Sequence, residues 1–599
     1  MAAVSQSSGR EVEVCMGMGT WLAWRLARWW GRSHGQWTPV APPQTRRASS
    51  DITIAHSIAN PGTSAYSVPE TVPLVSPALA SACRSPLRRG ACAIDERSSR
   101  HLVTMKFAAA VAAACLSLLP SAFAHATSNA TLADSSEDIL PTPFKPPQVF
   151  KNANLVHIIS LEKNYAKESI NVVIENISPD PQDEYFLPFT TQQMEKIGAF
   201  EVKDRKDEDL AGFEASAVEF DPSSDTQFYR IKLPAPLPSK GQQTLGISYY
   251  LLDSLSPLPA AIKQTEKQYL SFAFSAYCAS AYPTSKQKTE LKMPSSDVPD
   301  YTKVLALSPE TTEYPTISGS KLTYGPFTDV PAGATSPAKV RYQFNKPVTH
   351  VANLERDIEV SHWGGNVAVE ERYTLLHHGA SLANNFNRVQ WASSAYFDPK
   401  TFALKELKIP LSAGTKDAYF TDVIGNVSTS RFRAGKRENL LELKPRYPIF
   451  GGWKYPFTIG WNIDSSKYLK NEGSSHVLRV PFLEGPKQSE GIEYEHVDVR
   501  VILPEGASNV KYSTSAPTSS VLSASEGTLK TYLDTFGRTV LTIKARNLVD
   551  ELRDRELVVT YDYSTAMALR KPWIIFTSMM TVFAGLWFVS KIPVSFSPK

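Results

Sequence analysis

Cysteine is scarce in this 599-residue chain, and what there is lies in the wrong place for crosslinking. Cys15, Cys83, Cys92 and Cys115 crowd the first 115 residues, and Cys278 stands alone in the rest. If the N-terminal stretch is removed, no intrachain disulfide can form. An exported chain without disulfides must rest on a large core, which this length permits. Cys278 reads as a small buried hydrophobe rather than a reactive thiol. A surplus of positive charge is missing too. Residues 1–104 hold eleven Arg, no Lys and six acidic residues, a local +5 within a chain total of +4, so everything after them sums to −1. No nucleic-acid partner is expected, because phosphate binding needs clustered Lys and Arg.

Catalytic signatures are also lacking. The chain has no HExxH, no CxxC, no G-x-S-x-G elbow, no phosphate-binding Walker loop and no Rossmann glycine pattern. Asp357 and Glu359 imitate a carboxylate pair, but they sit two apart opposite Ile358 and Val360, which reads as a solvated strand face. Glu370 and Glu371 are adjacent and point to opposite faces. His362 beside Trp363 has the chemistry to stack on a sugar, although a structural turn is the plainer reading. No catalytic residue, cofactor or metal ligand is assigned.

Long hydrophobic runs are few, and two carry information. From Met105 the chain reads MKFAAAVAAACLSLLPSAFAHA: Lys106 as a short positive region, Phe107 to Leu119 as an apolar stretch of signal-peptide length, and small-x-small cleavage patterns ending at Ala124 and Ala126. Residues 105–124 are therefore read as a signal peptide. Residues 1–104 are read as an extension from an upstream start, or as disordered. A mitochondrial presequence is the rival, and Glu11 and Glu13 weigh against it. Residues 125–148 are Ser/Thr/Pro-rich and read as a flexible leader. The second run is Trp573 to Val589, continuing past Lys591 to Val594, close to the roughly 20 residues that cross a bilayer. Trp573 and Trp587 suit the aromatic belts. A buried core helix is the alternative. Arg570 and Lys571 on one side and Lys591 and Lys599 on the other leave orientation undecided. The signal peptide sends the body to the lumen and leaves 595–599 as a cytosolic tail.

Between these runs, period-two alternation dominates. It marks Ile170, Val172 and Ile174, then Leu245 to Leu251, Val497 to Leu503, and Leu557 to Tyr563. A hairpin is legible where Ile358 and Val360 lead to Gly364-Gly-Asn366 and Val367, Val369, Glu371 and Tyr373 return. Thr190 to Ile197 is a short helix candidate. The expected fold is mainly β: two antiparallel β-sandwich-like lumenal domains, 149–346 and 347–570, followed by a single transmembrane helix, 573–594. Three sequons are glycosylation candidates: Asn129, Asn426, and Asn176, which Pro179 right after Ser178 makes a poor acceptor.

One stretch, Ile358-Glu-Val-Ser-His-Trp-Gly-Gly-Asn-Val-Ala-Val-Glu-Glu371, resembles the signature hairpin of the ribophorin I family, with Ser361, His362, Trp363 and Gly364 at its tip. Further segments agree in order: Tyr282 to Gln287, Tyr324 to Pro331, Asp422 to Ser430, Pro445 to Lys454 (with Gly451, Gly452 and Trp453) and Ile502 to Gly506. The likeness runs from about Val149 into the apolar C-terminal run and leaves out 1–104. It implies a type I protein of the endoplasmic-reticulum membrane, a non-catalytic subunit of the oligosaccharyltransferase complex. That complex moves a preassembled high-mannose glycan from dolichyl diphosphate to Asn of Asn-X-Ser/Thr. Catalysis and the divalent metal are implied to belong to a separate multi-spanning subunit. The expected partners are the other subunits of the complex, the translocon, nascent polypeptides and membrane lipid. The short tail resembles fungal members. From the residues alone, Pro445, Pro448, Gly451 and Gly452 fix a rigid turn, and Thr577, Ser578, Thr581 and Gly585 offer a helix-packing face. An autonomous lectin-like or chaperone-like receptor is the second reading, and a hydrolase using Asp357 or Glu359 the third.

Overall fold

The computed structural model describes residues 144–593, apart from 206–212, 219–224, 306–312, 398–400, 474 and 533. Ala124, Ala126, Asn129, the signal segment, the leader up to residue 143 and the tail from Val594 lie outside the described residues. Wherever apolar residues alternate, the chain forms strand, with alternate side chains turned into the core. The strand Ala166–Asn176 buries Ile170, Val172 and Ile174. Thr349–Ser361 and Asn366–His377 do the same around the hairpin expected from sequence. The short helix is Thr191–Lys196, started by a capping box between Thr190 and Gln193. A second short helix, Arg388–Phe397, has no apolar stripe to announce it.

Each half of the chain builds one large sheet. The first has seven strands, in the order Thr316–Ser318, Lys321–Val330, Thr284–Lys292, Phe150–Ser160, Ala166–Asn176, Gln242–Leu251 and Ile197–Asp204. The second has eight, in the order Gly425–Asn426, Lys416–Asp422, Lys454–Asp464, Asn366–His377, Thr349–Ser361, Glu493–Ile502, Arg538–Val549 and Val521–Leu529. Smaller sheets supply the opposing layers and share their cores. Mainly β sandwich packing is thus what the sequence indicated, with one difference. Each large sheet contains a parallel pair, Phe150–Ser160 beside Thr284–Lys292 and Thr349–Ser361 beside Glu493–Ile502. The two sheets share a six-strand plan: an opening hairpin at the centre, two antiparallel strands beyond its second arm, and the parallel strand with its antiparallel neighbour beyond its first.

One core gathers residues 150–348, Cys278 among them, where burial pushes the thiol pKa up. The other gathers 351–561 and also takes Tyr165, Ala199, Tyr250 and Leu252 from the first half. Polar contacts lock this junction: Tyr165 donates to Asp550 at 2.6 Å, Tyr250 to Glu551 at 2.7 Å, and the Asn547 amide to the Ile197 carbonyl at 2.9 Å. A Cβ on Gly198 would lie 1.9 Å from the Asn547 carbonyl oxygen, so only glycine fits there. The chain ends in the helix Thr565–Ser590, capped by Ser564, with no side chain buried in protein. It starts earlier than the apolar run, since the cap and the charged first turns carry no hydropathy signal. Among the described residues it alone is long and apolar enough to cross a membrane.

Candidate functional site at the membrane-proximal end

The family hairpin closes through Ser361 to Gly365. The Ser361 hydroxyl accepts from the Gly364 amide at 3.0 Å, and Gly365 takes φ 63°. His362 turns inward. Its Nε2 meets the Tyr561 hydroxyl at 2.8 Å, and its ring packs 4.6 Å from His476 and 4.7 Å from Tyr563. Burial, and then the neighbouring His476, push its pKa down to about 4, so the ring is neutral at physiological pH. His362 is therefore a packing residue. Trp363 turns outward, 64% exposed, and its indole donates to the Ala568 carbonyl of the terminal helix at 2.8 Å.

The same end of the sandwich clamps the helix through charge. Lys571 reaches Asp534 at 2.7 Å and Glu505 at 3.1 Å. Glu505 also accepts from the Thr535 hydroxyl at 2.5 Å and from the amides of Thr535 and Phe536 at 2.8 Å. Burial would raise the Glu505 pKa, but these hydrogen bonds outweigh it and hold the value near 2. Asp534 is lowered in the same way, by Lys571 and Thr531 against its burial. The Arg570 guanidinium lies 4.3 Å over the Phe536 ring. A cavity of about 370 Å³ opens here, lined in part by Trp363, Tyr563, Met567, Lys571 and Ile575. Farther along the helix, the Thr577, Ser578 and Thr581 hydroxyls donate to backbone carbonyls at 2.8–2.9 Å, and nothing crowds Gly585.

The acidic strand face carries an ion-pair ladder whose members are partly exposed to solvent. Asp357 is held by Arg500 at 2.5 Å and Arg372 at 2.9 Å, and Glu359 by Arg538. Glu370 meets Arg372 and accepts from Tyr419. On the other face Arg356, 1% exposed, lies between Glu371 and Glu484, and Tyr373 donates to Glu371 at 2.6 Å. Motif reading missed this triad. Its signal was Arg356 itself, in register with the core residues Leu354 and Ile358.

Two other family segments meet at one knuckle. Arg446, one residue after the buried Pro445, grips Asp422 at 2.5 Å and the carbonyls of Gly425 and Asn426. Gly452 takes φ 79°, a Cβ on Gly451 would meet the Ala380 carbonyl at 2.2 Å, and Trp453 packs on the buried Phe450. Next to the exposed Asn426, Val423 and Ile424 stand 82% and 77% exposed. Asn176, in contrast, is fully buried, and its amide donates to the carbonyls of Asp180 and Leu237. His350, His378 and Glu493 lie near one another at the junction of the halves. The two imidazoles stack 4.3 Å apart, and His350 is held by Glu493 and Glu495. One ligand atom from each of the three lies within 4.8 Å of the others, and His378 is also paired with Asp253 at 3.0 Å.

The sequence profile described as Ribophorin I matches residues 150–590. The chain belongs to the ribophorin I family. Its ribophorin I region is similar to dolichyl-diphosphooligosaccharide–protein glycosyltransferase subunit 1 of Caenorhabditis elegans, 31% identical over 71% of this chain and 69% of that protein. The Schizosaccharomyces pombe subunit 1 is 28% identical over 74% of this chain and 95% of its own length. Arabidopsis thaliana subunit 1B is 29% identical over 74% and 93%. Among solved structures, leukotriene A4 hydrolase from Saccharomyces cerevisiae shares 12% identity at a TM-score of 0.23, over 37% of this chain and 32% of its own, too slight a likeness to bear on function. Both the hairpin on the terminal helix and the Asp422–Arg446 knuckle lie within the ribophorin I match.

Proposed function

We propose that this ribophorin I family member is a non-catalytic subunit of the oligosaccharyltransferase complex and serves protein N-glycosylation. The observation that carries this is the match to relatives named subunit 1, which extends over 71–74% of the chain. Its partners are the other subunits, including a multi-spanning catalytic one. It sits in the endoplasmic-reticulum membrane with its β-rich body in the lumen, where it stabilises the assembly and helps present nascent chains beside the translocon. Support for the membrane part comes from a helix with no buried side chain, about 39 Å long at ~1.5 Å per residue, and from the signal-like run at 105–124. The hydrolase reading loses its motive, because Asp357 and Glu359 are engaged by arginines. The lectin-like reading is weakened, because the Trp363 indole N–H is already spent on the Ala568 carbonyl of the helix. Isolation of the tagged full chain in mild detergent tests the proposal: glycan transfer to an Asn-X-Thr peptide should co-purify with it. Recovery of the chain alone, without that activity, would overturn it.

A further inference from the structure

We infer that the ectodomain rests directly on the bilayer, with the loops bearing Trp363, Tyr532 and Phe536 set in the headgroup layer around the base of the terminal helix. The inference rests on reading that helix as a membrane span, and height carries it. Trp363 is bonded to the helix at Ala568, and Phe536 lies under Arg570. The apolar run begins at Trp573, five residues below Ala568 and three below Arg570. At a rise of ~1.5 Å per residue those steps are about 7.5 and 4.5 Å along the axis. The interfacial layer on each side of a roughly 30 Å hydrocarbon core is about 5–8 Å deep. Both rings are therefore held within that layer by contacts to the span itself. A helix tilt of about 20° moves a ring set about 10 Å off the axis by only about 3 Å.

The chemistry fits the height. Tyr532 is 95% exposed, Trp363 64% and Phe536 44%. In water Trp363 and Tyr532 would leave large apolar surfaces exposed, and Phe536 the part of its ring that Arg570 leaves open, whereas at an interface amphipathic rings gain from one apolar and one wet side. Arg570, over the Phe536 ring, supplies a cation at phosphate level. Lys571 is already bound to Asp534 and Glu505, so it fixes the loop that carries Tyr532 and Phe536 rather than competing for lipid. The occupant is thus a phospholipid surface continuous with the span.

Photolabelling decides this on the unaltered chain. The full-length protein is reconstituted in phosphatidylcholine bilayers doped with a phosphatidylcholine carrying a diazirine near its headgroup, and adducts are mapped by peptide mass spectrometry. Adducts are expected on the terminal helix and on the peptides containing Trp363 and Tyr532–Phe536. Labelling of those two peptides should exceed that of the Val423–Ile424 peptide, which is more exposed than Trp363 and Phe536, by about tenfold. Adducts confined to the helix overturn the inference and leave the membrane span standing. A helix without adducts overturns both.

Discussion

Replacing Arg356 by Leu tests whether the centre of the second sheet depends on a matched set of buried charges. Arg356 and Glu371 are 1% and 0% exposed, and Glu484 completes the triad. Burial alone would suppress the Arg356 charge, but the two carboxylates outweigh it and raise its pKa further. Without the guanidinium, Glu371 keeps only the Tyr373 hydroxyl and must take up a proton or remain as an unpaired buried anion. Losing one partner of a buried pair costs about 3–5 kcal/mol. For a cooperative unit of about 200 residues that is a fall in Tm of roughly 6–20 °C. Thermal unfolding of the full chain in detergent, followed by near-ultraviolet circular dichroism, reads the shift. The triple variant Arg356→Leu, Glu371→Gln, Glu484→Gln removes the charges together and should regain at least half of the loss. A single-variant shift of 2 °C or less, corresponding to under about 1 kcal/mol, would mean that water reaches the site and the reasoning is wrong. A triple variant as unstable as the single would assign the loss to packing, not charge.

Three further outcomes follow from the same contacts. Asn426→Gln should remove one glycan, seen as a single step in gel mobility, while Asn176→Gln should remove none, because a glycan on Asn176 would break the buried bonds to Asp180 and Leu237. Glu505 has its folded pKa lowered to about 2 from an ordinary 4.5, so its contribution is full above about pH 4.5 and lost as pH falls towards 2. Lys571→Met should weaken that acid dependence, measured as Tm between pH 5 and 2.5. His350 is buried, which lowers its pKa, but Glu493 and Glu495 raise it above 6.5 on balance. Its contribution is therefore full below about pH 6.5 and lost as pH rises through the folded value, and His350→Gln should flatten the urea midpoint between pH 6.5 and 8.

What the sequence makes legible follows from what each signal encodes. Alternation marks a strand and its buried face, so the Ile358–Tyr373 hairpin was legible down to its turn residues. Alternation says nothing of which strand lies alongside or in which direction, so the parallel pairs 350–359 with 493–502 and 152–160 with 284–292 had no local signature. His362 and Trp363 are legible as a motif but not as opposites, one half-buried in an aromatic nest and one bonded to a helix 205 residues on. The Lys571 clamp draws its carboxylates from Glu505 and Asp534, which only the fold brings together. The Arg356 triad is different, since an arginine in register with Leu354 and Ile358 on a core-facing strand demands buried anions on physical grounds alone.

The repeated sheet plan explains how the body of the molecule is oriented on its anchor. In the first half the opening hairpin turns at Leu161 to Tyr165, and that turn docks on the second half: Asn164 donates to the Thr349 carbonyl at 2.7 Å, and Tyr165 to Asp550. In the second half the topologically equivalent turn, Ser361 to Gly365, docks on the terminal helix through Trp363 and Ala568. The same corner of the same sheet thus carries each unit's grip on the next along the chain. A turn at the end of two central, well-paired strands is a rigid place to build such a grip, because its position is set by ladders on both sides rather than by loop packing. Two such grips in series, each reinforced by ion pairs beside it (Lys167 with Glu551, Lys571 with Asp534), pass the orientation of the membrane helix through the second sandwich to the first. A chain built this way acts as a bracket, because the contacts at each turn fix the orientation of one sandwich on the next and of the second on the terminal helix.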